Sequence, residues 1–88
     1  MEIIRTDDFE RAFRKLPRDI QRLYQVQETR FKLSWRDSRL HIKKIKELPA
    51  ALSFRVTRRY RVFFYFQDST TAVLFDIDHR KDAYRKKI

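Results

Sequence analysis

Ser53 to Phe66 reads SFRVTRRYRVFFYF and constrains the fold more than any other stretch of the chain. Two strand-like runs meet at a short basic turn, Thr57-Arg58-Arg59. A three-residue loop pairs Val56 with Tyr60 and sets Arg55 directly opposite Arg61. Side chains alternate across a strand, so Phe54, Val56, Tyr60, Val62, Phe64 and Phe66 share one face. Ser53, Arg55, Arg61, Phe63 and Tyr65 share the other. The first face is a candidate core. The second sets two arginines side by side, and like charges across a strand pair cost roughly 0.2–1 kcal/mol. A sheet that carries this cost has a use for a polyanion, and Phe63 and Tyr65 beside it form a candidate base-stacking surface. The bland alternative is a solvated sheet face.

Eighty-eight residues suffice for one small domain, 1–88, without room for a second core. The chain has no cysteine, which excludes disulfides and thiolate chemistry and makes a reducing cytoplasm the expected location. The opening MEIIRT reads as a strand and not as a signal peptide, and no apolar run approaches the roughly 20 residues that span a bilayer. A formal net charge of +10 points to a nucleic acid or an acidic protein, while a membrane surface lacks the amphipathic basic helix it would need. Thirteen aromatic residues (eight Phe, four Tyr, one Trp) exclude a disordered basic tail. The chain also has no glycine, so strain is expected at the Thr57-Arg58-Arg59 turn.

Taken in order, Glu2 to Arg5 reads as a short strand. Asp7 is a candidate helix cap with Glu10 three residues on. Phe9, Ala12, Phe13 and Leu16 then form one apolar stripe. Leu16-Pro17 ends that helix, and Ile20, Leu23, Tyr24, Gln27 and Phe31 continue at helical spacing toward Trp35. A helical hairpin over about residues 8–35 results. Leu40–Leu48 reads as an extended or irregular lead-in ending at Pro49. Leu52–Val56 and Tyr60–Phe66 form the hairpin, and Thr71–Ile77 is an apolar run typical of a buried central strand. The fold class expected is α+β: an N-terminal strand, a two-helix hairpin, then an antiparallel three-stranded meander, with the helices on one face of the sheet.

Three segments carry a family resemblance: FERAFRKLP (Phe9–Pro17), SFRVTRRYRVFF (Ser53–Phe64) and DHRKDAY (Asp78–Tyr84). In combination, and in this order of elements, the chain resembles the toxins of type II toxin–antitoxin modules, the RelE/ParE superfamily, over essentially its whole length. The resemblance implies a metal-independent endoribonuclease that cuts mRNA, commonly at the ribosome, and a cognate antitoxin that holds it inactive. It implies attack of a ribose 2′-hydroxyl on the adjacent phosphate. Arg61 matches the arginine of the family's YR dipeptide and would neutralise the phosphorane. Arg55 matches a basic residue on the preceding strand, Arg80 the basic residue after the last strand, and Tyr84 the aromatic near the C-terminus. His79 has a histidine counterpart in some branches, as acid or base. A second basic residue that one branch carries on the Arg55 strand is absent, with Ser53 near its place.

The chemistry needs charge on the non-bridging oxygens and an acid–base pair. An arginine fork meets a phosphate bidentately, and preorganised donors are each worth about 3–4 kcal/mol of barrier. His79 is of the one residue type here that exchanges protons near neutrality. Lys43, Lys44 and Lys46, with Arg58, Arg59, Lys81, Lys86 and Lys87, are candidates for sequence-blind contacts to mRNA and ribosomal RNA. His41 reads as a surface residue. There is no Cys/His metal spacing and no glycine-rich phosphate loop, so neither metal nor cofactor is expected. Because one scaffold hosts different chemistries, two alternatives stand: a ParE-like inhibitor of DNA gyrase, and a non-catalytic module that binds RNA or antitoxin only.

Overall fold

Thr6 opens the first helix: its Oγ1 accepts the Phe9 amide at 3.1 Å. The cap therefore falls one residue before Asp7, because Thr6 keeps the extended backbone that a cap requires and Asp7 is already helical. The computed structural model describes residues 1–79. Over that range the chain runs β1 (Glu2–Arg5), α1 (Asp7–Arg14), α2 (Arg18–Leu33), a 3-10 turn (Ser38–Leu40), β2 (Lys43–Ile45), β3 (Leu48–Arg55), β4 (Tyr60–Asp68) and β5 (Thr71–His79). Pro17 occupies the cap position of α2, where its missing N–H costs nothing.

The five strands form one mixed sheet in the order β1-β5-β4-β3-β2. β1 lies parallel to β5, and the other neighbours are antiparallel. The α+β class holds, with two additions to the expected meander. First, Lys43–Ile45 of the lead-in is a short edge strand joined to β3 by the Lys46-Glu47 turn. Second, β3 begins at Leu48 rather than Leu52, so Pro49 lies inside it. The β3–β4 register covers Leu52 to Arg55, which leaves Pro49 outside that ladder, where its missing donor is tolerated.

Both helices cover one face. Tyr24 and Phe31 of α2 meet Phe54 at ring distances of 6.4 and 4.8 Å, Phe31 meets Phe64 at 4.8 Å, and Trp35 meets Phe66 at 5.0 Å. Phe9, Val62, Leu74 and Ile77 complete this core, each almost wholly buried. Leu74 and Ile77 reach the same side despite their odd spacing because a bulge between Phe63 and Phe64 inserts Phe75 as an extra residue of β5. On the opposite face Ile45, Ala51 and Phe63 form a second, smaller cluster with Leu48 and Phe75 packed on it. Phe63 is fully buried there. It is not part of an open stacking surface; on that face Tyr65 is exposed, 5.9 Å from the ring of the partly buried Phe75.

Candidate functional site

The hairpin turn brings the two arginines together as its alternation requires. Val56 N–H donates to the Tyr60 carbonyl at 2.9 Å, and Arg55 pairs with Arg61 across β3 and β4. Thr57 closes the turn without glycine: its Oγ1 accepts the amides of Arg59 at 3.1 Å and Tyr60 at 3.2 Å. The strain expected at this turn is absent, since no residue in it has positive φ. Among the described residues the positive φ belongs to His41, at 48°. A left-handed non-glycine residue costs on the order of 1 kcal/mol or more, and such costs collect at functional sites.

His41 earns attention through its backbone, not its exposed ring. It ends the 3-10 turn, and its carbonyl accepts Nη2 of Arg61 at 2.5 Å. Arg61 also gives Nε to the Ser53 hydroxyl at 2.8 Å. Arg61 is only 2% exposed and Ser53 is fully buried. A guanidinium out of water needs such partners. Arg55 is half-buried, and its guanidinium makes no hydrogen bond or ion pair among the described residues. The pair thus divides into one arginine locked by Ser53 and His41 and one half-buried without such partners, both on the face away from the helices.

The far side of Arg61 carries a feature that the alternation of β5 alone did not disclose. Asp78 pairs with Arg61 and Asp76 with Phe63, so two carboxylates line the same face. The Phe75-Asp76-Ile77-Asp78 pattern was visible in the sequence, but only the bulge fixes which side it presents. On the β2 side Lys43 pairs with Ser53 and shares this face. Lys44 and Lys46 are exposed beside it, and Arg58 and Arg59 are exposed at the hairpin tip.

His79 goes elsewhere. It pairs with Tyr60, whose ring belongs to the helix-side core, and the two rings meet edge-on at 5.7 Å. The imidazole and the two guanidinium groups therefore belong to opposite faces at one end of the sheet. Arg80, Lys81, Tyr84, Lys86 and Lys87 lie outside the described residues.

Behind the site, the buried Gln27 of α2 ties the layers together. Its Nε2 donates to the carbonyls of Arg55 at 2.7 Å and Arg39 at 3.0 Å, which holds the end of β3 against the helix. A second tie joins β1 to α2: Arg5 reaches Glu28, and the Tyr24 hydroxyl donates to the same carboxylate at 2.5 Å. Burial alone would push the Glu28 carboxyl up, but the Tyr24 and Arg5 hydrogen bonds overcome it and hold it below the usual carboxylate range.

Two helices across one face of a five-stranded mixed sheet, with a cross-strand arginine pair on the other, define a small α+β domain with a cationic sheet end. The chain has the fold of the RelE-like toxin superfamily. A chain of the RelB–RelE antitoxin–toxin complex from Methanococcus jannaschii superposes with a TM-score of 0.76 at 20% identity, covering 94% of this chain and 96% of that one. The YoeB/ParE toxin from Agrobacterium tumefaciens gives 0.75 at 10% identity, covering 91% and 99%. The RelBE2 toxin–antitoxin complex from Mycobacterium tuberculosis gives 0.64 at 28% identity, covering 90% and 96%. No family model and no curated protein matches the sequence, so the likeness is carried by shape. Among the described residues no helix is long and apolar enough to cross a membrane.

Proposed function

We propose that this protein is the toxin of a type II toxin–antitoxin module and a metal-independent endoribonuclease that cleaves mRNA at the ribosome. The observation that carries this reading is the facing pair Arg55 and Arg61 on the sheet face away from the helices. In the reaction a ribose 2′-oxygen attacks the adjacent phosphorus and loses its proton. The bond to the 5′-oxygen breaks, and a 2′,3′-cyclic phosphate and a 5′-hydroxyl remain. Arg55, half-buried and without a side-chain partner among the described residues, binds the non-bridging oxygens first. Arg61 stands behind it with its plane set by Ser53 and His41, so it needs no reorganisation as charge builds on the phosphorane.

Proton transfer in this reading falls to Arg80 and Tyr84 in the chain beyond β5, since His79 lies against Tyr60 on the other face of the sheet. Lys43, Lys44, Lys46, Arg58 and Arg59 hold the RNA backbone on either side of the arginines, with Lys81, Lys86 and Lys87 continuing from the C-terminus. The partner that silences the toxin is an antitoxin protein, as RelB partners RelE in the solved complexes. An open apolar groove lined by Leu48, Pro49, Ala50, Ala51, Tyr65 and Phe75 on the same sheet face suits such a partner.

The burial of Arg61 and the placement of His79 against Tyr60 favour one other reading, a ParE-like toxin that binds DNA gyrase and cuts no RNA. Primer extension on mRNA from induced cells separates the two. New 5′ ends that vanish with Arg55→Ala support the ribonuclease. Growth arrest with full-length mRNA and inhibited supercoiling would replace it with the gyrase reading.

A further inference from the structure

The turn between the helices concentrates charge that the site above does not use. Residues 14–22 hold Arg14, Lys15, Arg18 and Arg22 against the single carboxylate of Asp19. All four cations are exposed, and none makes a hydrogen bond or ion pair among the described residues. Basic residues nearby do find partners: Arg5 of β1 and Lys32 of α2 with Glu28, and Arg11 of α1 with Asp8. Arg18 and Arg22 stand one turn apart and line an open groove of about 480 Å³ with Phe13, Gln21 and Gln25. No carboxylate is among these lining residues.

Local physics argues against both arginines where they are. Like charges at i and i+4 oppose helix formation, and a cation in the first turn opposes the helix dipole. Arg18 is the first residue of α2, and the Pro17 cap makes no side-chain hydrogen bond to relieve it. A bound polyanion removes both penalties at once.

The position of the groove points to which polyanion. Along α2, Trp35 lies over Phe66, Phe31 over Phe64, and Tyr24 over Phe54. Descending residue number on the helix therefore leads toward Arg55 and Arg61, and Arg18 and Arg22 lie beyond Tyr24 at that end. A strand engaged at Arg55 can continue past the Thr57-Arg58-Arg59 turn onto the helical layer. The two arginine Cβ atoms are about 5–6 Å apart, as helix geometry sets them, which matches the step between successive phosphates of a strand. An acidic protein helix would instead need an apolar floor, and that floor lies on the other face of the sheet.

We infer that the α1–α2 groove is a second phosphate-binding surface, which takes the RNA backbone leaving the sheet end. The inference rests on the ribonuclease reading, and it is tested separately from it. The probe is a labelled, 2′-O-methylated oligoribonucleotide, followed by fluorescence anisotropy between about 50 and 200 mM salt. The R18Q/R22Q variant should bind more weakly, with the salt slope lowered by about 1.4, or about 0.7 for each lost contact to a single strand. R18K/R22K should retain the slope, and R11Q, which removes a cation outside the groove, should leave it unchanged. Circular dichroism checks that each variant is folded. An unchanged slope in R18Q/R22Q, with the wild type still binding, would overturn the groove and spare the ribonuclease. Loss of polyglutamate binding without loss of RNA binding would overturn it in favour of an acidic protein. A wild type that neither binds nor cuts RNA would remove both readings.

Discussion

Arg61 directs its Nε to the Ser53 hydroxyl, 2.8 Å away across the β3–β4 pair, and both side chains are buried. A hydrogen bond to a charged group is worth about 1.5–3 kcal/mol, and its loss leaves a buried donor unsatisfied. Ser53→Ala should therefore destabilise the protein by about that amount in urea titration. Ser53→Thr, which keeps the hydroxyl, should recover part of it. An unchanged midpoint in Ser53→Ala would mean that Ser53 does not hold the guanidinium.

Arg55 should separate activity from stability. It is half-buried and faces a like charge, so Arg55→Ala removes a repulsion of a few tenths of a kcal/mol and leaves the urea midpoint unchanged or slightly raised. Loss of one guanidinium donor to the phosphorane should lower the cleavage rate by about 10²–10³-fold. Single-turnover cleavage beside denaturation checks both halves. A rate within threefold of wild type would take Arg55 out of the reaction.

His79 provides the opposite test. Its ring lies edge-on against Tyr60 on the helix side, away from Arg55 and Arg61. His79→Gln should reduce cleavage by less than about tenfold, short of the roughly 10²–10⁴-fold that loss of a general acid or base brings. The rate's pH dependence should be retained in the variant. A collapse of the rate together with a lost limb of the pH profile would return His79 to the proton-transfer step.

The Arg5–Tyr24–Glu28 tie predicts an acid sensitivity of defined sign. Glu28 is held below the usual carboxylate range when folded. Its ionised form thus contributes stability that is fully present above the unfolded value of about 4.3 and is lost as pH falls through the lower folded value. Glu28→Gln should lower stability at neutral pH and flatten the decline below about pH 4.3. Urea midpoints measured against pH for both proteins decide it. Parallel curves would show that other carboxylates carry the acid transition.

The sequence alone determined the hairpin and its register. Alternation through SFRVTRRYRVFF leaves one arrangement that buries Phe54, Val62 and Phe64, and in it Arg55 must oppose Arg61. Helical spacing likewise set the stripe of Tyr24 and Phe31 that covers this sheet. These are local consequences of periods of two and 3.6 residues. What only the tertiary structure decided depends on segments far apart in the chain. The acceptor that buries Arg61 comes from His41, twenty residues away, through a backbone twist that no side-chain pattern encodes. The parallel pairing of β1 with β5 joins the two ends of the described chain. One extra residue at Phe75 shifts the parity of β5 and so puts Asp76 and Asp78, but not His79, on the arginine face. A bulge depends on how neighbouring strands pack, and alternation read along a single strand cannot register it.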